Sequence, residues 1–180
     1  MAKLSKATLD DLKKSGFNLK AIEKMQIRDV SPDELACIFK TAYARIGMAS
    51  FKQIPRVLAY EIPYFDLGEK PIGYCRYKLL EEFIPAGSKK AAKYMQLPGT
   101  KSKFYLPPFC DWEVISRDIK QDIFFVEGEK KAAALTLLGF PAIGLGGIWN
   151  WKTDGGELIS DFNLFEWAHR KALIAFDHDV

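Results

Sequence analysis

Apolar residues recur at helical spacing over the first 45 positions, gather into strand-like runs between positions 57 and 79, and alternate between short strands and helices after position 122. The first regime predicts three helices. Ser5 caps one over residues 5–15, with Leu4 and Leu9 at staple spacing and Gly16 as its stop. Asn18 opens a second through about Gln26. Ser31-Pro32-Asp33-Glu34 starts a third, with serine as cap, proline at the first helical position and Glu34 completing a capping box; it runs to about Ala44.

The second regime reads as a hairpin. Residues 57–65 and 72–79 are aromatic and β-branched runs flanking Asp66-Leu67-Gly68-Glu69-Lys70. Pro63 cannot donate to a ladder, so it confines its strand to an edge or to a bulge near the end. Residues 85–103 read as a loop, broken by Pro85, Gly87, Ser88, Pro98 and Gly99. The third regime predicts strands at 123–126, 142–145 and 172–176, with helices at 129–138 and about 161–170 between them. That alternation argues a parallel sheet buried on both faces.

Composition changes this picture little. With 48% hydrophobic residues among 180, the chain can bury a real core. No segment approaches the ~18 uninterrupted apolar residues of a membrane span, and the lysine-rich start meets Asp10 and Asp11 instead of a signal-peptide core. The expectation is a cytoplasmic protein with no membrane partner. Cys37, Cys75 and Cys110 lack the close pairing of zinc ribbons or small disulfide scaffolds and read as reduced, packed thiols.

Charge adds an asymmetry. Residues 1–110 hold 19 Lys/Arg against 11 Asp/Glu, whereas residues 111–180 hold 7 against 12. A basic part beside an acidic one suits a polyanion held near a metal, and equally suits a solvated surface. The loop-like stretch carries Lys89, Lys90, Lys93, Lys101 and Lys103 with Tyr94, Phe104 and Tyr105 interleaved. Lysines for phosphates and aromatic faces for bases are what single-strand binding uses; a solvated loop with core aromatics is the other reading.

The candidate chemistry lies at two strand ends. Phe124-Phe125-Val126 ends in Glu127-Gly128, and Ile174-Ala175-Phe176 ends in Asp177-His178-Asp179. Ligands collect at the carboxyl ends of parallel strands, so the three carboxylates converge on one region. Gly128 permits a tight turn that leaves Glu127 exposed at the sheet's edge. Asp177 and Asp179 share one side of an extended backbone and can hold a divalent cation between them. His169 and His178 are poor candidates for catalysis. Gly144-X-Gly146-Gly147 lacks the Gly-Lys-Ser/Thr ending of a phosphate loop and reads as structural, while Trp149 and Trp151 read either as base-stacking groups or as a cover for the sheet.

The run VEGEKKAAALTLLGFPAIGLGGIWNW followed by LIAFDHDV resembles the Toprim domain of primase-like proteins in phage and plasmid replication. The upstream LSKATLDDLKKSGF, IPYFD and KFYLPP resemble the region preceding Toprim in those proteins. The implied fold class is α/β: an α+β N-terminal region, residues 1–115, then a partial Toprim-like parallel βαβαβ sheet, residues 116–180. The resemblance implies Glu127 as catalytic acid/base, Asp177 and Asp179 as ligands of Mg²⁺ or Mn²⁺, and Lys130 and Lys131 as phosphate contacts. It implies single-stranded DNA and nucleotides as partners, with a helicase domain or subunit in attendance. A complete Toprim continues beyond its Asp-X-Asp, so the expectation is an unfinished sheet that a longer polypeptide or a partner completes. Primer synthesis is the first functional reading. A noncatalytic single-strand-binding module with a degenerate Toprim half, or a Toprim nuclease, are the alternatives.

Overall fold

The computed structural model describes residues 4–48 and 53–177. By contact density the chain divides into two compact units, Met1–Pro63 with Tyr74–Thr100, and Tyr64–Gly73 with Lys101–Val180.

The first unit opens with α1 (Lys6–Lys13) and α2 (Leu19–Lys24), each started by the predicted cap. The Ser5 hydroxyl accepts from the Thr8 amide, and Asn18 Oδ1 accepts from the Ala21 amide at 2.9 Å. A short strand, β1 (Arg28–Val30), precedes α3 (Pro32–Arg45). Ser31 caps α3 through the Glu34 amide, but the expected capping box is only half made. Glu34 sends its carboxylate to Arg28 at 2.6 Å, because β1 sets a guanidinium within reach that also takes Glu61 at 2.8 Å.

The predicted hairpin is β2 (Ala59–Phe65) and β3 (Pro71–Leu79), within a sheet of order β1-β2-β3-β4 whose last member is β4 (Tyr94–Gln96). β1 pairs only with residues 59–61, so Pro63 stands beyond that ladder, where a missing N–H is tolerated. Val30, Leu35, Phe39, Ala59, Tyr77 and Leu79 form the core under α3, with Phe39 and Tyr77 in edge contact at 5.7 Å. β4 falls inside the stretch expected to be a loop. Its three residues gain order from pairing with Arg76–Lys78 rather than from a pattern of their own.

The second unit holds α4 (Trp112–Arg117), β5 (Ile123–Glu127), α5 (Glu129–Leu137), β6 (Ala142–Leu145) and β7 (Ala172–Ala175). The three strands are parallel, with β5 central in the order β6-β5-β7. Two expectations are corrected here. Residues 161–170 are not a helix: a single 3₁₀ turn, Ser160–Leu164, gives way to turns, with His169 at φ 63°. Phe162, Phe165 and Trp167 all pack toward Phe125 or Phe104 and Trp112, and a regular helix would not deliver three rings so closely spaced to one core. Burial on both faces holds for β5 and β6 but not for β7, where Ala172 and Ala175 are exposed and Ile174 is 73% exposed.

Candidate functional site

The site grows from the carboxyl end of β5. Ile123, Phe125 and Val126 are buried, and Glu127 emerges half-buried at the strand's last position. Gly128 then turns the chain at φ 91°, a conformation that side-chain-bearing residues rarely adopt, and α5 begins at once. Its amide donates to the Leu145 carbonyl at 2.7 Å, extending the β5–β6 ladder to the turn. β6 can lie so close because of Gly144: a Cβ there would stand 3.1 Å from both Ala132 Cβ and the Gly128 carbonyl, and 3.2 Å from Tyr105 Cβ. Gly144 is therefore a packing residue, as its incomplete loop motif suggested.

Register brings the second motif alongside. Glu127 pairs with Leu145, and Val126 with Ala175, so Asp177 follows two residues after a direct neighbour of Val126. Glu127 and Asp177 thus stand at the same edge of one parallel sheet. Asp177 is exposed and ion-paired with Lys131 from the first turn of α5. His178 and Asp179 lie outside the described residues. Among the described residues, no three His, Cys, Asp or Glu side chains form a group that could hold a metal ion. The donor chemistry nonetheless suits Mg²⁺, which takes oxygen ligands, keeps several waters and is commonly held by one or two carboxylates plus substrate phosphates. Lys131 already offers Asp177 the positive charge that a cation would supply.

The second glutamate of Glu127-Gly128-Glu129 has a role the sequence reading missed. Glu129 is 1% exposed and accepts a 2.6 Å hydrogen bond from the buried Tyr64 hydroxyl. At the first position of α5 its charge also meets the positive end of the helix. The Tyr105 ring packs edge-on to Tyr64 at 5.1 Å, and its hydroxyl is held well above the usual tyrosine range by burial and then by the Glu129 charge. One acid of the motif is presented and the other anchors the turn that presents it. The signal was a second acid, placed at the first position of the helix directly after the glycine turn.

The lysines divide. Lys89, Lys90 and Lys93 are exposed in the first unit, and Lys101 is exposed in the second. Lys103 pairs with the buried Asp161 at 2.8 Å, at the wall of a cavity of about 600 Å³ that Phe65, Leu67 and Leu164 also line. Lys130 is half-buried on α5. Of the interleaved aromatics, Phe104 and Tyr105 are 2% and 0% exposed and belong to the core, so they offer no face to a base. Tyr94 is half-buried, with the Arg76 guanidinium 5.5 Å and the Lys78 ammonium 5.3 Å from its ring centroid. The cysteines are free thiols, and burial raises that of Cys75. Among the described residues, no helix is long and apolar enough to cross a membrane.

The sequence profile of a family described as a domain of unknown function (DUF3854) matches residues 111–180. No curated protein matches the sequence. Solved structures resemble the fold, among them two of DnaG. The DnaG catalytic core aligns at 16% identity with a TM-score of 0.51, over 78% of this chain and 47% of that one. The DnaG primase catalytic domain bound to single-stranded DNA aligns at 16% identity with a TM-score of 0.50, over 80% of this chain and 49% of that one. The likeness is one of fold, and it agrees with a partial Toprim-like arrangement; the chain spans about half the length of these structures.

Proposed function

We propose that this chain is a primase-like domain that carries out Mg²⁺-dependent nucleotidyl transfer on single-stranded DNA, in the replication of a phage or plasmid. The observation that carries the reading is the meeting of Glu127 and the Asp177 segment at one carboxyl edge of the β6-β5-β7 sheet. The shared fold with DnaG cores supports it.

In this reading Asp177 and Asp179 hold the ion, which when bound offsets phosphate charge in an in-line displacement. Glu127, half-buried at the last position of β5, takes the proton from the attacking hydroxyl. Gly128 and the buried Glu129 fix where that carboxylate stands, since the chain reverses between them without a side chain in the way. Lys131, ion-paired with Asp177, would be the group that a cation at Asp177 displaces, and its ammonium would be placed to contact phosphate. Lys89, Lys90, Lys93 and Lys101 contribute long-range attraction for the polyanion.

The same groups suit phosphodiester cleavage, so the deciding experiment offers both outcomes. End-labelled single-stranded DNA is incubated with the chain, Mg²⁺ and nucleoside triphosphates, and products are sized. Template-dependent new strands support primase chemistry, shortened label supports a nuclease, and unchanged DNA bound in a Mg²⁺-independent way supports a noncatalytic binding module.

A further inference from the structure

The segment leaving β6 is built around an aromatic surface. Gly146-Gly147 releases the chain from the sheet, and the Asn150 amide returns to the Gly147 carbonyl at 2.9 Å to close a turn. Residues 151–159 then fold back on themselves. Ile159 donates to the Trp151 carbonyl at 3.1 Å, Thr153 to Glu157 at 2.7 Å, and Lys152 bridges to Leu158. Trp151 packs against the core of the second unit, which fixes the base of this loop.

Trp149 is placed differently from the other three tryptophans. Trp112 is fully buried and donates its indole N–H to the Pro107 carbonyl at 2.8 Å; Trp167 donates to the Phe162 carbonyl at 2.7 Å; Trp151 is half-buried. Trp149 is 65% exposed, and its indole N–H has no acceptor among the described residues. An isolated exposed apolar residue is ordinary. Here, however, the Lys152 ammonium lies over the Trp149 ring at 5.1 Å from its centroid and over the Trp151 ring at 5.3 Å, so a cation is held on an indole that is still 65% exposed. The loop starts from Leu145, the partner of Glu127, at the edge where parallel sheets collect their ligands.

An open indole face, a free N–H donor and an adjacent ammonium match a flat π-system joined to an anion. We infer that Trp149 and Lys152 form a nucleotide-stacking platform, with the base on the Trp149 face and the phosphate at Lys152. The nucleotide unit is either part of a single strand or a free nucleoside triphosphate. The inference rests on the nucleic-acid-directed reading of the neighbouring carboxylate edge and assigns its base-recognition element.

Binding of labelled oligothymidylate and of ATP is measured with EDTA present, by anisotropy and tryptophan fluorescence, for wild type and for Trp149→Ala, Trp149→Phe and Lys152→Ala. Trp149→Ala weakens binding about five- to a hundredfold, the range that loss of one base–aromatic stack spans, and Trp149→Phe restores most of it. Lys152→Ala lowers the slope of log affinity against log salt by about 0.7 for the oligonucleotide. Oligothymidylate alone showing Trp149 dependence identifies the strand as the source, and ATP alone identifies the free nucleotide. Equal affinities of Trp149→Ala and wild type, no binding of either ligand by wild type, or Trp149 quenching by anionic lipid vesicles alone would each overturn the inference. Trp149-dependent binding without any Mg²⁺-dependent product would instead refute nucleotidyl transfer and leave the platform standing.

Discussion

Lys131, on the first turn of α5, forms an ion pair with Asp177, just beyond the end of β7. Both side chains are substantially exposed, at 45% and 61%, so the pair contributes no more than about 1 kcal/mol to stability. Its importance is electrostatic: an ammonium sits on a carboxylate assigned to a metal. At about 4 Å in water a unit and a double charge repel by about 2 kcal/mol. Lys131→Met should therefore leave thermal stability nearly unchanged while tightening Mg²⁺ binding several-fold to about thirtyfold, measured by calorimetric titration. Unchanged affinity would show that Lys131 and the cation do not compete for Asp177.

Tyr64 and Glu129 make the opposite kind of contact, a buried hydrogen bond of 2.6 Å. Tyr64→Phe removes a donor from a carboxylate that is 1% exposed, and should cost on the order of 1.5–3 kcal/mol in chemical denaturation. A loss below about 0.5 kcal/mol would contradict an anchoring role for Glu129.

Asp161 separates a structural lysine from the exposed ones. Its carboxylate accepts the Phe104 amide and the Lys103 ammonium, both at 2.8 Å, and is 6% exposed. Asp161→Ala should destabilise by about 1–3 kcal/mol, chiefly by stranding the buried Phe104 amide. Replacing Lys89, Lys90 and Lys93 together should leave stability alone and lower the salt slope of single-strand binding by about 2. If instead that triple variant unfolds the chain and Asp161→Ala does not, the division of lysines fails.

Alkaline pH should unfold the second unit through Tyr105. Its pKa is raised in the folded state by burial and then by the Glu129 charge, so the folded chain keeps the phenolic proton when the unfolded chain has lost it. The stabilisation is complete below the unfolded pKa of about 10 and declines as pH rises above it. Tyr105→Phe should flatten the fall in unfolding free energy between about pH 10 and 11. An unchanged slope would remove Tyr105 as its source.

The elements legible in the sequence were those with a local chemical signature. Ser5, Asn18 and Ser31 announced helix starts because a capping side chain acts within three residues. Glu127-Gly128 marked a strand-to-helix turn because only glycine is at ease at φ 91°. β1 and β4 were not legible: three residues carry no period, and their order comes from partners more than fifteen residues away. The helix expected around Phe165 failed because tertiary packing of Phe162, Phe165 and Trp167 overrode local spacing. Lys103 and Lys131 looked alike as phosphate contacts, and only the folded chain shows each on its own carboxylate.

If Glu127 performs proton transfer at a Mg²⁺-dependent phosphoryl-transfer site, incorporation of labelled nucleotide on a single-stranded template should separate wild type from Glu127→Gln. Wild type should give template- and Mg²⁺-dependent product, and Glu127→Gln, with its fold intact, should lose about 10²–10⁴-fold. Product formed equally well by Glu127→Gln, or none from this chain and from a longer polypeptide containing it, would rule out that role for Glu127.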